Sequence, residues 1–210
     1  MRIYNRPFTE QLNDYKKMWD FLVNDYADKT DQFIWTIGRL GDWKYGCWSE
    51  EKYFPSFLRK NAQLWLNGLD DLVGFVISEN GDNTFAVFAK RGYEFLYAEM
   101  IIWVKNNWNK RGSSLSTEVH EYHDLYKKAL LEEGFHEGEL MAVTRQYKLQ
   151  DKAVEGFQVE NGFIVEDMLT NPDLKGKTLL YNNSWRNDNT VSQLDLLRYE
   201  YNRESPCFNP

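Results

Sequence analysis

The chain has 210 residues, a formal net charge of −7 and 16% aromatic residues, with eight Trp. That length buries a real core, in one large domain or in one domain with an appendage. The acidic charge is spread along the chain, which excludes a general nucleic-acid surface, because such a surface needs a basic face to displace counterions.

Arg2 to Arg6 reads as a short extended segment. Phe8, Leu12, Tyr15, Trp19, Leu22 and Tyr26 follow at alternating spacings of four and three, one apolar stripe of a helix. Thr9 or Pro7 is its expected start, and the polar run Asp25 to Asp31 its end. Phe33 to Trp48 holds three Trp and three Gly with poor periodicity. It reads as an aromatic loop or short helical turn near a cleft, or equally as plain core packing. In the first case Trp35, Trp43 and Trp48, with Trp65, are candidates for stacking on a sugar or another flat ligand.

Alternation is clear from Ala62. The segments Ala62–Leu66, Leu72–Ile77 and Thr84–Ala89 are separated by Asn67-Gly68 and Asn80-Gly81-Asp82-Asn83 tips, which predicts three antiparallel strands. From Glu94 to about Asn107 the period becomes helical, with Leu96, Met100, Trp103 and Val104 on one face. Asn109 to Ser114 is an expected loop and Ser114 to Val119 a short strand. A second helix places Tyr122, Leu125, Tyr126, Ala129 and Leu130 inward, with Gly134 as its C-cap. Glu139 to Leu149 is β-prone and closes the unit.

Past Asp151 turn residues break the chain into short pieces, with one expected strand (Phe163 to Glu166) and one helix (Thr190 to Tyr201). The expected domains are therefore residues 1–150 and an extension, 151–210. Cys47 and Cys207 give neither a disulfide framework nor metal spacing, and read as unpaired thiols in a reducing cytoplasm. His120 and His123 are three apart but lack acidic or thiol partners at metal-ligand spacing. The apolar runs are short of a membrane span, and no signal-peptide core precedes them. A soluble, cytoplasmic protein with neither membrane nor nucleic-acid partners is expected.

The order helix, three hairpin-linked strands, basic-Gly turn, long helix, strand, helix, Gly-Phe, strand resembles the GNAT superfamily of acetyl-CoA-dependent N-acetyltransferases. The resemblance covers about residues 1–150 and is most specific over Val87–Met100 and Leu125–Phe135. It implies an α/β (α+β) GNAT-like acyl-CoA N-acyltransferase fold, whose central sheet is mixed, mostly antiparallel and flanked by helices. The tail, Val154 to Pro210, looks like the start of a second such domain in a tandem GNAT protein. The loose echo of Met1–Thr9 in Gly162–Thr170 supports that likeness.

The resemblance implies acetyl transfer from acetyl-CoA to a small-molecule or peptide amine. The cofactor would lie along Phe88, Ala89, Lys90, Arg91, Gly92 and Tyr93. The family's loop, Arg/Gln-x-x-Gly-x-Gly/Ala, lets backbone N–H groups and a helix dipole meet a pyrophosphate. With Arg91 as its first residue, the two glycine positions hold Glu94 and Leu96, and Glu94 is equally a good residue for stabilising a helix start. Lys90 and Arg91 either contact phosphates or form a solvated basic turn.

The family's proton-donating Tyr position, four residues before the Gly of Gly-Phe, is Leu130, and Tyr126 lies one turn earlier on the same face. Tyr126 is the candidate general acid, or else a core aromatic. No acid lies within Thr84–Ala89 to serve as general base. The alternative reading is a catalytically degenerate GNAT-like domain with a structural or ligand-binding role. A homodimer is a further expectation, since an incomplete second domain leaves apolar surface to cover.

Overall fold

The computed structural model describes residues 2–28, 35–46, 52, 54–142, 160–162, 164–167 and 170–206, which divide into two units, Met1–Gly138 and Glu139–Pro210. In the first unit β1 (Ile3–Pro7) leads into a single 3-10 turn, Glu10–Leu12. The helix α1 (Asp14–Asp28) begins only after Asn13, which takes left-handed backbone at φ 56°. Thr9 and Pro7 therefore do not start it, and Leu12, caught in the turn, is 50% exposed instead of joining the stripe. The inner line is Met18, Phe21 and Leu22, with Tyr15 and Trp19 at its margin; the side chain of Tyr26 lies outside the described residues. Asp14 fixes this entry. Its fully buried carboxylate accepts from Arg6 Nη2 at 2.8 Å, from Arg6 Nη1, and from the Thr9 N–H at 2.7 Å.

Most of the aromatic stretch forms a helix, α2 (Ile37–Tyr45), whose start Thr36 caps by accepting from the Arg39 N–H at 3.0 Å. Trp35, Trp43 and Trp65 are at most 2% exposed, and Trp43 Nε1 donates to the Ser78 carbonyl at 3.1 Å. These three are core rings, which removes the flat-ligand platform; Phe33 and Trp48 lie outside the described residues. The helix α3 (Pro55–Asn61), with Pro at its first turn, runs directly into β2 (Ala62–Asn67).

The hairpin signals are borne out by β2, β3 (Leu72–Ile77) and β4 (Thr84–Ala89), and the sheet order is β1-β2-β3-β4-β5. All neighbours are antiparallel except β4 and β5 (Ser116–Thr117), which are parallel. The unit is thus mixed α/β with a mostly antiparallel sheet flanked by helices. One face carries Leu64, Phe75, Ile77, Ala86 and Phe88 against α1, α2 and α3. The other carries Val76, Phe85, Val87 and Ala89 against α4 (Leu96–Trp108) and α5 (Asp124–Glu132).

Two details of β3 set the positions of α4 and of the turn that enters it. Trp65 pairs with Gly74 but Leu66 with Leu72, so Val73 is an extra residue, a bulge that reverses the alternation of faces. Gly74 faces α4 so closely that a Cβ there would meet the Phe88 carbonyl at 2.9 Å and Met100 Sδ at 3.2 Å. Only glycine lets α4 lie this near the sheet.

The helix α5 ends as its Gly-Phe suggests. Gly134, at φ 84°, donates to the Leu131 carbonyl, and Phe135 to that of Leu130, both at 3.0 Å, a Schellman pairing that satisfies the last carbonyls. Its inner face is Tyr126, Ala129 and Leu130 alone. Tyr122 precedes the helix and Leu125 is turned away by one residue's rotation, leaving them 61% and 58% exposed. The described residues 139–142 form no strand; 143–150 lie outside the described residues.

The second unit holds α6 (Leu174–Arg186) and α7 (Gln193–Asn202). Its described residues 164–167 form no strand, so the expected Phe163–Glu166 strand is absent there; Phe163 itself is not described. Polar contacts order this unit: Asp173 caps α6, Ser192 and Asp195 form a capping box on α7, and Asn182 bridges to the Thr190 carbonyl at 2.9 Å. Among the described residues of the whole chain, no helix is long and apolar enough to cross a membrane.

Candidate functional site

The turn between β4 and α4 is built on the bulge. Lys90 donates its N–H to the Val73 carbonyl at 2.8 Å, and Tyr93 returns a bond to the Lys90 carbonyl at 2.8 Å. Gly92 takes φ 86° with open space where a Cβ would stand, so glycine is needed here for conformation and not for room. Lys90 and Arg91 are exposed and form no ion pair among the described residues. Phe88 and Ala89 are buried, Phe88 stacked on Phe75 with centroids 4.5 Å apart. They belong to the core beneath the turn. Tyr93 is half-buried against the α4 face.

Glu94 folds back over the turn. Its Oε2 accepts the Gly92 N–H at 2.7 Å. The N–H groups of Leu96 and Tyr97 donate to the carbonyls of Tyr93 and Glu94 at 2.9 and 3.1 Å. Several donors that an anion would use at this helix start are therefore already taken, one by a carboxylate.

The strand β4 runs on past its partner. Thr84 pairs with Ser116 and Phe85 with Thr117, and the pairing with β5 stops there while β4 continues to Ala89. Tyr126 lies at this parting, its hydroxyl 3.0 Å from Thr117 Oγ1 and its ring 5.1 Å from that of Tyr97 in the first turn of α4. Burial pushes the Tyr126 phenol well above its usual range, with the Thr117 bond opposing, so it holds its proton at neutral pH. Tyr97 Oη in turn stands 2.9 Å from His123 Nε2. The structure thus joins Tyr97, His123, Tyr126 and Thr117 into one polar group inside the α4–α5 packing. Sequence reasoning singles out Tyr126 and notes His123 but links neither to Tyr97, because the contact spans 26 residues of chain.

Two carboxylates lie on the far side of the parting. Arg39 Nε donates to Glu79 Oε2 at 2.7 Å and Nη1 to Glu118 Oε2 at 3.1 Å, while the guanidinium stacks 4.9 Å from the Trp35 ring centre. Burial pulls Arg39 down, but both carboxylates outweigh it and hold the guanidinium above its ordinary range. Glu79 and Glu118 are therefore ion-pair partners of one guanidinium. Among the described residues no group of three or more His, Cys, Asp or Glu is placed to hold a metal ion.

Comparison with protein-family models, with curated proteins and with solved structures gave no match.

Proposed function

We propose that the first unit is a GNAT-like acyl-CoA N-acyltransferase domain, transferring acetyl from acetyl-CoA to an amine on a small molecule or peptide. The observation that carries this reading is the parallel β4–β5 pair that parts after two residues, with a basic glycine turn entering α4 at its open end. Beyond Phe85 this edge of β4 has no strand partner among the described residues, and its backbone N–H and C=O groups can meet an extended amide-bearing chain such as a pantetheine arm. Lys90 and Arg91 stand at the turn where the diphosphate would lie.

In this reaction the amine nitrogen attacks the thioester carbonyl carbon, the C–N bond forms and the C–S bond breaks. The amine loses a proton to water, and the departing thiolate takes one. The protonated Tyr126 phenol at the parting is the donor this reading assigns.

A second reading, a catalytically degenerate GNAT-like domain that binds a ligand or serves structurally, is favoured by the Glu94–Gly92 bond. Calorimetric titration of the whole chain with acetyl-CoA tests the first. Saturable binding, weakened by Arg91→Glu, is expected, together with release of free thiol when a panel of amines is supplied. Absence of binding at millimolar cofactor sinks it, and binding without thiol release leaves the second reading standing.

A further inference from the structure

A cleft of about 350 Å³ opens at the opposite end of β4, where α3, the β3–β4 tip at Gly81 and the loop after α4 meet. Its walls are Phe54, Ser56, Phe57, Lys60, Asn61 and Arg111. The volume falls in the range of small-molecule sites, roughly 300–1,000 Å³. Among the described residues no acidic side chain lines it, in a chain whose net charge is −7.

Arg111 is its chemical centre. The guanidinium stacks on the Trp108 ring, 4.2 Å from the centroid, and Nη2 donates to the Lys60 carbonyl at 2.8 Å. Nη1 is shielded from water and has no acceptor among the described residues. Burial pushes the group down to about 10, with only the Asp82 charge opposing. Asp82 Oδ1 accepts from the Thr84 N–H at 2.9 Å and from the Thr84 hydroxyl. A partly buried guanidinium whose burial the Asp82 charge does not offset is costly to the fold. An anion placed in the cleft removes that cost.

The Arg111 wall of the cleft is held in shape by the hairpin. Asn83 Nδ2 donates to the Ser114 carbonyl at 2.6 Å and the Ser116 N–H to the Asn83 carbonyl at 3.1 Å, pinning the Arg111 loop to the hairpin. Gly112 packs on Asn83 so tightly that a Cβ would stand 2.9 Å from its side chain.

We propose that this cleft is a binding site for a small carboxylate with a flat apolar body. The carboxylate pairs with Arg111 Nη1 and the Lys60 ammonium, and the apolar body lies between Phe54 and Phe57. Because Nη1 is shielded from water, this pairing requires the guanidinium to turn toward the cleft. The site is independent of the turn at Lys90, since the six residues of β4 separate the two by about 20 Å.

Benzoate, benzamide and inorganic phosphate are the probes, titrated into the whole chain while the backbone amide signals of Asn61, Gly81 and Gly112 are followed by NMR. Benzoate is expected to shift these signals saturably and more weakly as salt rises, and benzamide to leave them in place. Arg111→Gln should lower benzoate affinity by about tenfold or more, the loss of one charge-assisted hydrogen bond. Lys60→Ala, at an exposed side chain, should lower it by a smaller factor. Shifts equal with benzamide, binding of phosphate but not benzoate, no saturable shift, or full affinity in Lys60→Ala would each overturn the proposal.

Discussion

Replacing Glu94 by Gln tests what the turn at the start of α4 is able to bind. The Glu94 carboxylate accepts the Gly92 N–H at 2.7 Å, so a diphosphate approaching this turn meets two obstacles. It must displace a charge-assisted hydrogen bond of about 1.5–3 kcal/mol. It must also approach a like charge, at a cost of about 1 kcal/mol per phosphate charge at 4 Å in water and about 4 kcal/mol at an effective dielectric of 20. The half-buried position of Glu94 lies between those limits. Glutamine keeps an acceptor for Gly92 but removes the charge, so coenzyme A should bind about tenfold tighter or better, roughly 1.4 kcal/mol. The gain should shrink as salt screens the turn. Pantetheine, which lacks the diphosphate, should bind the variant and the parent alike. Calorimetry on both ligands decides it: unchanged coenzyme A affinity, or an equal gain for pantetheine, refutes the idea that Glu94 guards the turn.

Two further expectations concern the scaffold. Asp14→Asn removes the charge that holds Arg6 and the Thr9 N–H and leaves a partly buried guanidinium unpaired. Urea unfolding should show a loss of about 3 kcal/mol, and a change within about 0.5 kcal/mol would show that this entry to α1 is not held by charge. Tyr126→Phe removes the Thr117 bond for a loss of about 1 kcal/mol. It should also flatten the alkaline side of the stability curve. The folded state keeps the Tyr126 proton above the ordinary phenol value of about 10, while the unfolded chain releases it. The unfolded state then binds fewer protons, and stability falls as pH rises through that window. Parallel pH profiles for the variant and the parent above pH ~10 would contradict the burial of this phenol.

The central hairpins are legible because Asn67-Gly68 and Asn80-Gly81 punctuate apolar runs of strand length, and α4 because its period of 3.6 lasts thirteen residues. Gly134-Phe135 announces its own capping geometry. The true start of α1 is hidden because its entry residue is a buried Asp, a polar side chain whose partners, Arg6 and Thr9, satisfy it only in three dimensions. The helix α2 is blurred by Gly38 and Gly41, and α3 is only seven residues long. The bulge at Val73 leaves no trace in sequence, because Leu72, Val73 and Phe75 are apolar whichever face they meet. The same limit applies to the site. A basic turn with a glycine is visible, but not the return of Glu94 onto Gly92, nor the contact between Tyr97 and His123.

The two ends of β4 therefore differ in a way that charge alone explains. At its C-terminal end Lys90 and Arg91 are exposed cations that water can solvate, and the Gly92 N–H is already answered by Glu94. At the other end Arg111 is partly buried, with one nitrogen unanswered and no carboxylate in the cleft wall among the described residues. A buried cation without a partner is costly, and an anion that pairs with it relieves that cost. The stronger unmet demand for negative charge thus lies at Arg111, where the family resemblance did not point. Arg111→Gln should accordingly leave coenzyme A affinity unchanged while weakening benzoate binding, and Arg91→Glu should do the reverse. A single variant that weakened both ligands would mean that the two ends of the strand are coupled through the sheet, and that neither can be read as a site by itself.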